Sequence, residues 1–250
     1  MRVLLQRSIL GALCMALIVC LFATLAPAQR RHRMAASVPV KDPKRAADAQ
    51  RHSRDASKVF REVMGTPDKG IPKDLLDKAE AVGVFPGVLK AGLGIGGFNG
   101  KGVISRRVPG GWSAPAFFNM RGGDIGAQIG GEKIDFVLLF MNEDALNALL
   151  KDKVEIGGEL SAAAGPVGRT AAASTDAQLK AGILTYSRSK GAFIGAVIKG
   201  GTISPDNDLN EAVYGMKAKD FLNSPESVKM ADVPTVVRIF PETLADYSRK

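Results

Sequence analysis

The chain has 250 residues, 46% of them hydrophobic, and carries 34 Lys and Arg against 25 Asp and Glu. This length is enough for one sizeable core. Both cysteines, Cys14 and Cys20, and both histidines, His32 and His52, lie near the N-terminus. The remaining chain therefore cannot form a Ser-His-Asp or Cys-His catalytic group, or the imidazole and thiolate shell of a zinc ion. We expect a protein that is not an enzyme and uses no cofactor.

The positive charge is concentrated in the N-terminal part of the chain. Residues 30–61 carry ten Lys and Arg against three Asp, whereas residues 62–250 carry 22 charges of each sign. The net charge of +9 therefore belongs to the first 61 residues. A basic segment attached to an electroneutral body favours an anionic partner.

An uncharged apolar stretch between Arg7 and Arg30 is typical of a secretory signal. It follows a basic start and ends in the small residues Ala26-Pro27-Ala28, a pattern that favours cleavage after Ala28. The stretch is also long enough for an uncleaved membrane anchor, which stays the alternative. Residues 1–28 are thus expected to export the protein to the periplasm or cell envelope, where nucleic acid is not an expected partner.

The next elements are a linker and a helix. Residues 29–41 are rich in Arg and predict a basic linker, and residues 42–250 are expected to form one domain. Asp42-Pro43 predicts a helix start, and the helix is expected to end near Met64. Small and apolar residues occupy one helical face, while Lys and Arg occupy the other. We interpret it as a surface helix docked through its small face; a basic amphipathic helix on an anionic surface is the alternative.

The middle of the chain is unusually rich in glycine. A short helix is predicted over Pro72 to Ala81, followed by a meandering antiparallel sheet from Val82 to Met141. Pairs of turn-forming residues recur within that sheet and predict its turns at Asn99-Gly100, Gly110-Gly111 and Gly122-Gly123.

The C-terminal half mixes strands and helices. Its predicted elements are a helix over Glu143 to Leu150 with Asn142 as N-cap, a strand over Val154 to Ala164, a hairpin of Leu179 to Tyr186 and Ala192 to Lys199 turned at Ser189-Lys190-Gly191, and helices over Asp208 to Tyr214 and Val233 to Tyr247. Pro241 is expected to interrupt or restart the last helix. The order predicts an α+β domain, in which a curved, mostly antiparallel, glycine-rich sheet closes partly into a barrel and is flanked by N- and C-terminal helices.

Catalytic motifs are incomplete. Gly92 to Gly97 fit the pattern GxGxxG, but a turn-like sequence follows where a dinucleotide site needs a helix. Ser113 lies in a sequence similar to a nucleophile elbow, but Pro115 replaces the last glycine and no histidine can activate the serine. An enzyme that uses carboxylates is the weakest alternative, and its candidate acid pairs are Asp124 with Glu132 and Glu155 with Glu159.

Several strings occur in a family-specific order between about Ala46 and Gly215. They are Phe85-Pro86, Lys90-Ala91-Gly92, Gly111 to Phe117, Gly126 to Gly130, Ala164 to Arg169, Tyr186 to Gly191 and Tyr214-Gly215. This pattern resembles the SYLF domain family. The resemblance implies a lipid-binding module; eukaryotic members bind phosphoinositide membranes and some bind actin, whereas bacterial members are often exported. This chain is similar to the bacterial, exported kind.

The predicted function is therefore non-catalytic binding to a lipid or membrane surface of the cell envelope. Lys and Arg side chains donate charge-assisted hydrogen bonds to phosphate oxygens, and a tryptophan can anchor an interface. The candidate lipid-binding residues are Arg51, Arg54, Lys58, Arg61, Lys101, Arg106, Arg107, Trp112, Arg188 and Lys190. Two alternatives stay open: these charges only keep the surface soluble, or the chain is a structural or protein-interaction module of the envelope.

Overall fold

The described structure begins with a long, capped helix. The computed structural model describes residues 42–66, 70–168, 180–198 and 200–248, and for residues 93–95 and 124–130 only their backbone. The expected signal segment and linker, residues 1–41, lie outside these ranges, as do Leu179 and Lys199 at the ends of the predicted hairpin. Asp42 accepts hydrogen bonds from the backbone N–H groups of Lys44 and Arg45 at 2.9 and 3.4 Å. Helix α1 (Pro43–Met64) follows and confirms the predicted start and end.

Two long strands form the centre of the sheet. β1 (Ala81–Val108) and β3 (Ala116–Phe140) pair antiparallel from Ile104 opposite Ala116 to Ala81 opposite Phe140. Between them, a two-residue turn at Pro109-Gly110 leads into β2 (Gly111–Trp112), which pairs with the end of β1. The turn predicted at Gly110-Gly111 is therefore present but lies one residue earlier, since Gly111 already belongs to β2.

The turns predicted at Asn99-Gly100 and Gly122-Gly123 are wrong. Both pairs lie inside the long strands, where Asn99 is opposite Arg121 and Gly123 is opposite Gly97. Gly100 and Gly122 serve close packing instead, because β1 bends back on itself around residues 93–95. A Cβ atom on Gly100 would lie 2.5 Å from Val88 Cγ2, and one on Gly102 would collide with the Val84 carbonyl and the Phe85 ring. The two halves of the β1–β3 ribbon thus pack face to face, with glycine on one half opposite a larger residue on the other.

The other strands extend both halves of this ribbon. β6 (Ile183–Ser189) pairs with the C-terminal part of β3, and β8 (Gly201–Pro205) pairs with its N-terminal part. The remaining edge strands are β4 (Val154–Ile156) on β8, and β5 (Ala162–Ala164) and β7 (Ala192–Gly195) on β6. Among the described strands, only β5 and β6 pair in parallel, so the sheet is mostly antiparallel and, with its bent ribbon, nearly closed into a barrel, as predicted.

Two strand predictions need adjustment. The predicted strand over Val154 to Ala164 is two short strands with a turn between them, since Gly157 adopts a positive φ of 82°. The predicted β6–β7 hairpin is confirmed with shorter strands. Its turn residues, Lys190 and Gly191, have φ angles of 49° and 81°, as a tight two-residue hairpin requires.

Shorter helices cover the sheet. They are α2 (Lys73–Lys78), α3 (Glu143–Leu149), α4 (Asn207–Tyr214), α5 (Ala218–Asn223), a 3-10 helix (Pro225–Ser227) and α6 (Thr235–Ser248). Asn142 caps α3 as predicted, whereas α2 is shorter than its predicted range because the chain from Ala81 joins the sheet. The prediction that Pro241 interrupts or restarts the last helix is wrong. Pro241 is buried within α6, where packing of Phe240 and Leu244 offsets the hydrogen bond that proline cannot donate.

Alternating side chains of the strands bury both faces of the sheet. One set, including Val84, Val103 and Val137, packs against α1, α2 and α6. The other set, including Phe118 and Leu138, fills the interior of the bent sheet together with α3 and α5. Burial on both faces explains why the paired segments 82–85 of β1 and 136–140 of β3 contain only apolar residues and glycine.

Candidate functional site

The predicted lipid-binding residues fall into distinct places in the fold. The first is the basic face of α1, defined here as the exposed residues Lys44, Arg51, Arg54, Lys58 and Arg61. Arg51 pairs with Asp48 at 2.7 Å, and Arg61 donates to the Thr243 hydroxyl at 3.0 Å. The side chains of Arg54 and Lys58 make no hydrogen bond or ion pair with the described part of the chain. The opposite face of α1 is packed, with Ala49, Ala56 and Phe60 fully buried.

Lys101 does not contribute a free charge. Its ammonium group pairs with the nearly buried Asp206 carboxylate at 2.8 Å, which joins β1 to the start of α4. His52 of α1 lies in the electrostatic field of this pair. Burial, together with the neighbouring charges of Arg51 and Lys101, lowers the pKa of His52 below its usual value. This region is therefore an internal electrostatic contact between α1, β1 and α4.

Arg188 is also engaged inside the protein. Its guanidinium pairs with Asp135 of β3 at 2.9 Å and with Glu62 of α1. Asp135 in turn accepts a hydrogen bond from the Gly87 N–H at 2.7 Å, at the bulge in β1. Arg188 thus ties α1 to the sheet. Lys190 lies in the nearby turn, where it is exposed and has no partner in the described residues.

A cavity of about 680 Å³ brings together the last three candidates, Arg106, Arg107 and Trp112. Trp112 is 5% exposed, and its indole N–H donates to the Ser248 hydroxyl at 3.0 Å. The Arg107 guanidinium lies 4.2 Å from the Trp112 ring centroid, a favourable cation–π geometry. Burial lowers the pKa of Arg107.

Both arginines of this cavity donate to backbone carbonyls. Arg107 donates to Ala79 O at 2.8 Å and to Leu76 O at 2.6 Å, and so satisfies carbonyls at the end of α2. Arg106 donates to Leu222 O at 2.7 Å near the end of α5. Neither guanidinium forms an ion pair with a carboxylate in the described ranges. The two guanidinium groups thus form a cationic part of the cavity wall, with the negative charges of Asp77 and Glu80 acting on Arg107 from a distance longer than an ion pair.

The far wall of the cavity was not predicted from the sequence. It consists of Asn223, Pro225, Glu226, Val228, Lys229 and Met230. This segment runs from the end of α5 through the 3-10 helix and carries no recognisable motif. It reaches the cavity because of a tertiary contact, since Arg106 holds the end of α5, and no local signal could have indicated that contact.

The catalytic alternatives gain no supporting geometry. The Ser113 hydroxyl accepts from the Arg106 N–H at 3.0 Å and donates to Ala114 O at 2.9 Å, so it is bound to backbone. Glu155 and Glu159 are exposed, and Glu159 pairs with Lys151 at 3.2 Å. Glu132 accepts a hydrogen bond from Ser189, and the Asp124 side chain lies outside the described part. Among the described residues, no group of three or more His, Cys, Asp or Glu side chains is placed to hold a metal ion.

None of the helices in the described ranges combines the length and apolar composition that crossing a membrane requires.

Comparison with known proteins finds several relatives. The chain is 38% identical over 152 residues to LAS seventeen-binding protein 3 of Saccharomyces cerevisiae, which covers 59% of this chain and 33% of that protein. It is 33% identical over 170 residues to SH3 domain-containing YSC84-like protein 1 of Xenopus laevis, covering 65% and 50%, respectively. The human protein of the same name is 29% identical over 201 residues, covering 76% and 58%.

The chain thus spans about a third to three fifths of the length of these curated relatives. Their names describe proteins that bind others or contain an interaction domain, which is consistent with a non-catalytic binding module. Residues 121–246, half of the chain, match the family described as "Ysc84: Las17-binding protein actin regulator". The chain therefore belongs to the Ysc84, or SYLF, family, as the order of its sequence motifs indicated.

Proposed function

We propose that this chain is a non-catalytic protein that attaches to anionic lipid surfaces through the basic face of α1. The observation that carries the proposal is the arrangement of five exposed cations along one side of a single helix, of which Arg54 and Lys58 have no partner in the described residues. A flat anionic surface can contact such a row of charges at the same time, whereas scattered charges could not act together.

The same helix dictates how the attachment works. Its apolar residues, including Ala56 and Phe60, are already buried against the domain and are not available to enter a bilayer. Binding is therefore peripheral and electrostatic, and each well-placed charge contributes about 1 kcal/mol. Asp48 and Asp55 on the same helix reduce the net attraction, so the affinity is modest and falls as salt is added.

The proposed location is the cell envelope, following export by the signal-like residues 1–28. The positive charges that precede α1 in the sequence support the proposal. The Arg-rich residues 30–41 directly precede the basic face in sequence and add to its charge.

Vesicle sedimentation tests the proposal. The protein is mixed with vesicles of phosphatidylcholine alone or with phosphatidylglycerol, at increasing salt. The double variant Arg54→Glu, Lys58→Glu should weaken binding to the anionic vesicles by at least about thirtyfold, since losing two contacts of about 1 kcal/mol already has that effect and the new carboxylates also repel the surface. The matched control is Lys217→Glu, Lys219→Glu, which changes the charge equally at exposed positions outside α1. Equal binding to neutral vesicles, or the same loss in the control, would refute the proposal.

A protein-interaction module is the second candidate function. Leu89, Ile194 and Val197 are 51%, 56% and 50% exposed, and a protein partner could cover these apolar side chains. The yeast relative is named for binding another protein, which favours a protein partner for this chain as well. Sedimentation velocity of the protein without lipid tests this candidate. A stable dimer that dissociates in an Ile194→Lys variant would support it, and a monomer insensitive to that substitution would count against self-association through this strand.

A further inference from the structure

The cavity beside Trp112 has the features of a ligand site separate from the basic face of α1. Half-buried guanidinium groups are normally paired with carboxylates, because removing a charge from water is costly. Arg106 and Arg107 are both half-buried, and no carboxylate in the described part of the chain lies within ion-pair distance of either; Asp77 and Glu80 act on Arg107 only from farther away. Their carbonyl contacts use only some of their donors. For Arg107 Nη1, and for Arg106 Nε and Nη2, the structure gives no protein acceptor among the described residues.

The rest of the lining is apolar on one side and weakly polar at the rim. Val108, Pro109, Val228 and Met230 supply the apolar wall, while Lys229 and Glu226 are exposed at the opening. A volume of about 680 Å³ lies within the range of small-molecule sites, which is about 300–1,000 Å³. Unpaired cations beside an apolar wall complement a ligand that carries an anionic head and an apolar segment.

We infer that this cavity binds one anionic amphiphile, with its head group on Arg106 and Arg107 and its apolar segment against Val228 and Met230. The inference deepens the proposed function, on which it rests, because it gives the protein a site for a single lipid molecule as well as a surface for a membrane. The head group would replace water at the free guanidinium donors without displacing the carbonyls of Leu76 and Leu222.

Trp112 allows a direct test, since it is the single tryptophan of the chain and lines the cavity. The probe is monomeric dibromostearate, whose bromine atoms quench tryptophan fluorescence on contact, added without vesicles. We expect saturable quenching with one site per chain. Arg106→Gln should weaken the affinity by about tenfold or more, as the loss of a charge-assisted hydrogen bond predicts.

Two further variants keep the test decisive if Arg106→Gln does not fold. Lys229→Glu reverses an exposed charge at the rim and should also weaken binding, whereas Lys153→Glu, an exposed residue outside the cavity lining, should not. The neutral methyl ester of the probe should bind more weakly than the free acid. Non-saturable quenching, equal affinity in Lys229→Glu and Lys153→Glu, or equal binding of the ester would overturn the inference, and so would complete displacement by inorganic phosphate at the same concentration as the probe.

The α1 variant Arg54→Glu, Lys58→Glu separates this inference from the proposed function. Its tryptophan should still be quenched by dibromostearate, whereas its binding to anionic vesicles should be weakened. Vesicle binding without saturable quenching would overturn the cavity site alone. Quenching without vesicle binding would support the cavity and refute the attachment through α1.

Discussion

Replacing Gly102 by alanine tests how the β1–β3 ribbon is folded. A Cβ atom at this position would collide with the Val84 carbonyl and the Phe85 ring, which belong to the opposite half of the same strand. A backbone carbonyl cannot move aside as a flexible side chain can, so the two halves of the ribbon must separate. Overpacking of this kind costs about 1–3 kcal/mol. Replacing glycine also restricts the unfolded chain, which stabilises the protein by about 0.4–1 kcal/mol, so the middle of both ranges gives a net loss of about 1–2 kcal/mol.

Urea denaturation measures this loss. With a slope of about 2 kcal/mol per molar urea, the midpoint of Gly102→Ala should fall by about 0.5–1 M. Gly123→Ala is the matched control, because its Cβ would meet no atom within 4 Å and its φ is not positive. The control should be neutral or slightly stabilising. If Gly102→Ala proved as stable as Gly123→Ala, the face-to-face packing of the two halves would be wrong.

Three further substitutions test contacts between distant segments. Asn210→Ala should destabilise the fold by about 2–4 kcal/mol in urea denaturation, because the buried side-chain amide accepts from the Phe117 N–H at 2.9 Å and donates to Phe117 O at 3.0 Å. A loss below about 0.5 kcal/mol would contradict this role. Arg188→Gln should cost about 1–3 kcal/mol, whereas Lys190→Gln should change stability by less than about 0.5 kcal/mol, and equal effects would show that the Arg188 ion pairs do not stabilise the fold. Burial lowers the pKa of His52 in the folded state, so the unfolded chain binds more protons and stability should fall as the pH drops below about 6.5. The thermal midpoint of His52→Gln should fall less over that interval, and identical pH profiles would contradict the assignment.

Local signals predicted the elements that local interactions determine. Asp42-Pro43 marks the start of α1 because its cap is made with the next two residues, and Lys190-Gly191 marks a hairpin because the turn itself requires positive φ angles. Asn99-Gly100 carries the same kind of turn signal but lies mid-strand, since glycine is needed there to admit Val88. Composition alone cannot distinguish glycine that turns the chain from glycine that lets two strands approach.

The candidate site was predictable in part for a similar reason. The basic face of α1 follows from helical spacing, and the structure keeps it exposed. Lys101 and Arg188 carry the same charge in the sequence, but their partners Asp206 and Asp135 lie 105 and 53 residues away along the chain. The family resemblance placed Trp112 within a motif, and only the fold shows that Arg106 and Arg107 share its cavity.

The bent ribbon also has a consequence for how the chain acquires its structure. Synthesis produces the 28 residues of β1 before any of β3, so its backbone groups have no partner strand while it emerges. Once the turn at Pro109-Gly110 has formed, β1 and β3 can pair residue by residue outward from it, at a small cost in loop-closure entropy. The nascent protein is therefore most prone to aggregate in the interval between the appearance of those two strands, when a chaperone that shields extended apolar segments would help it most.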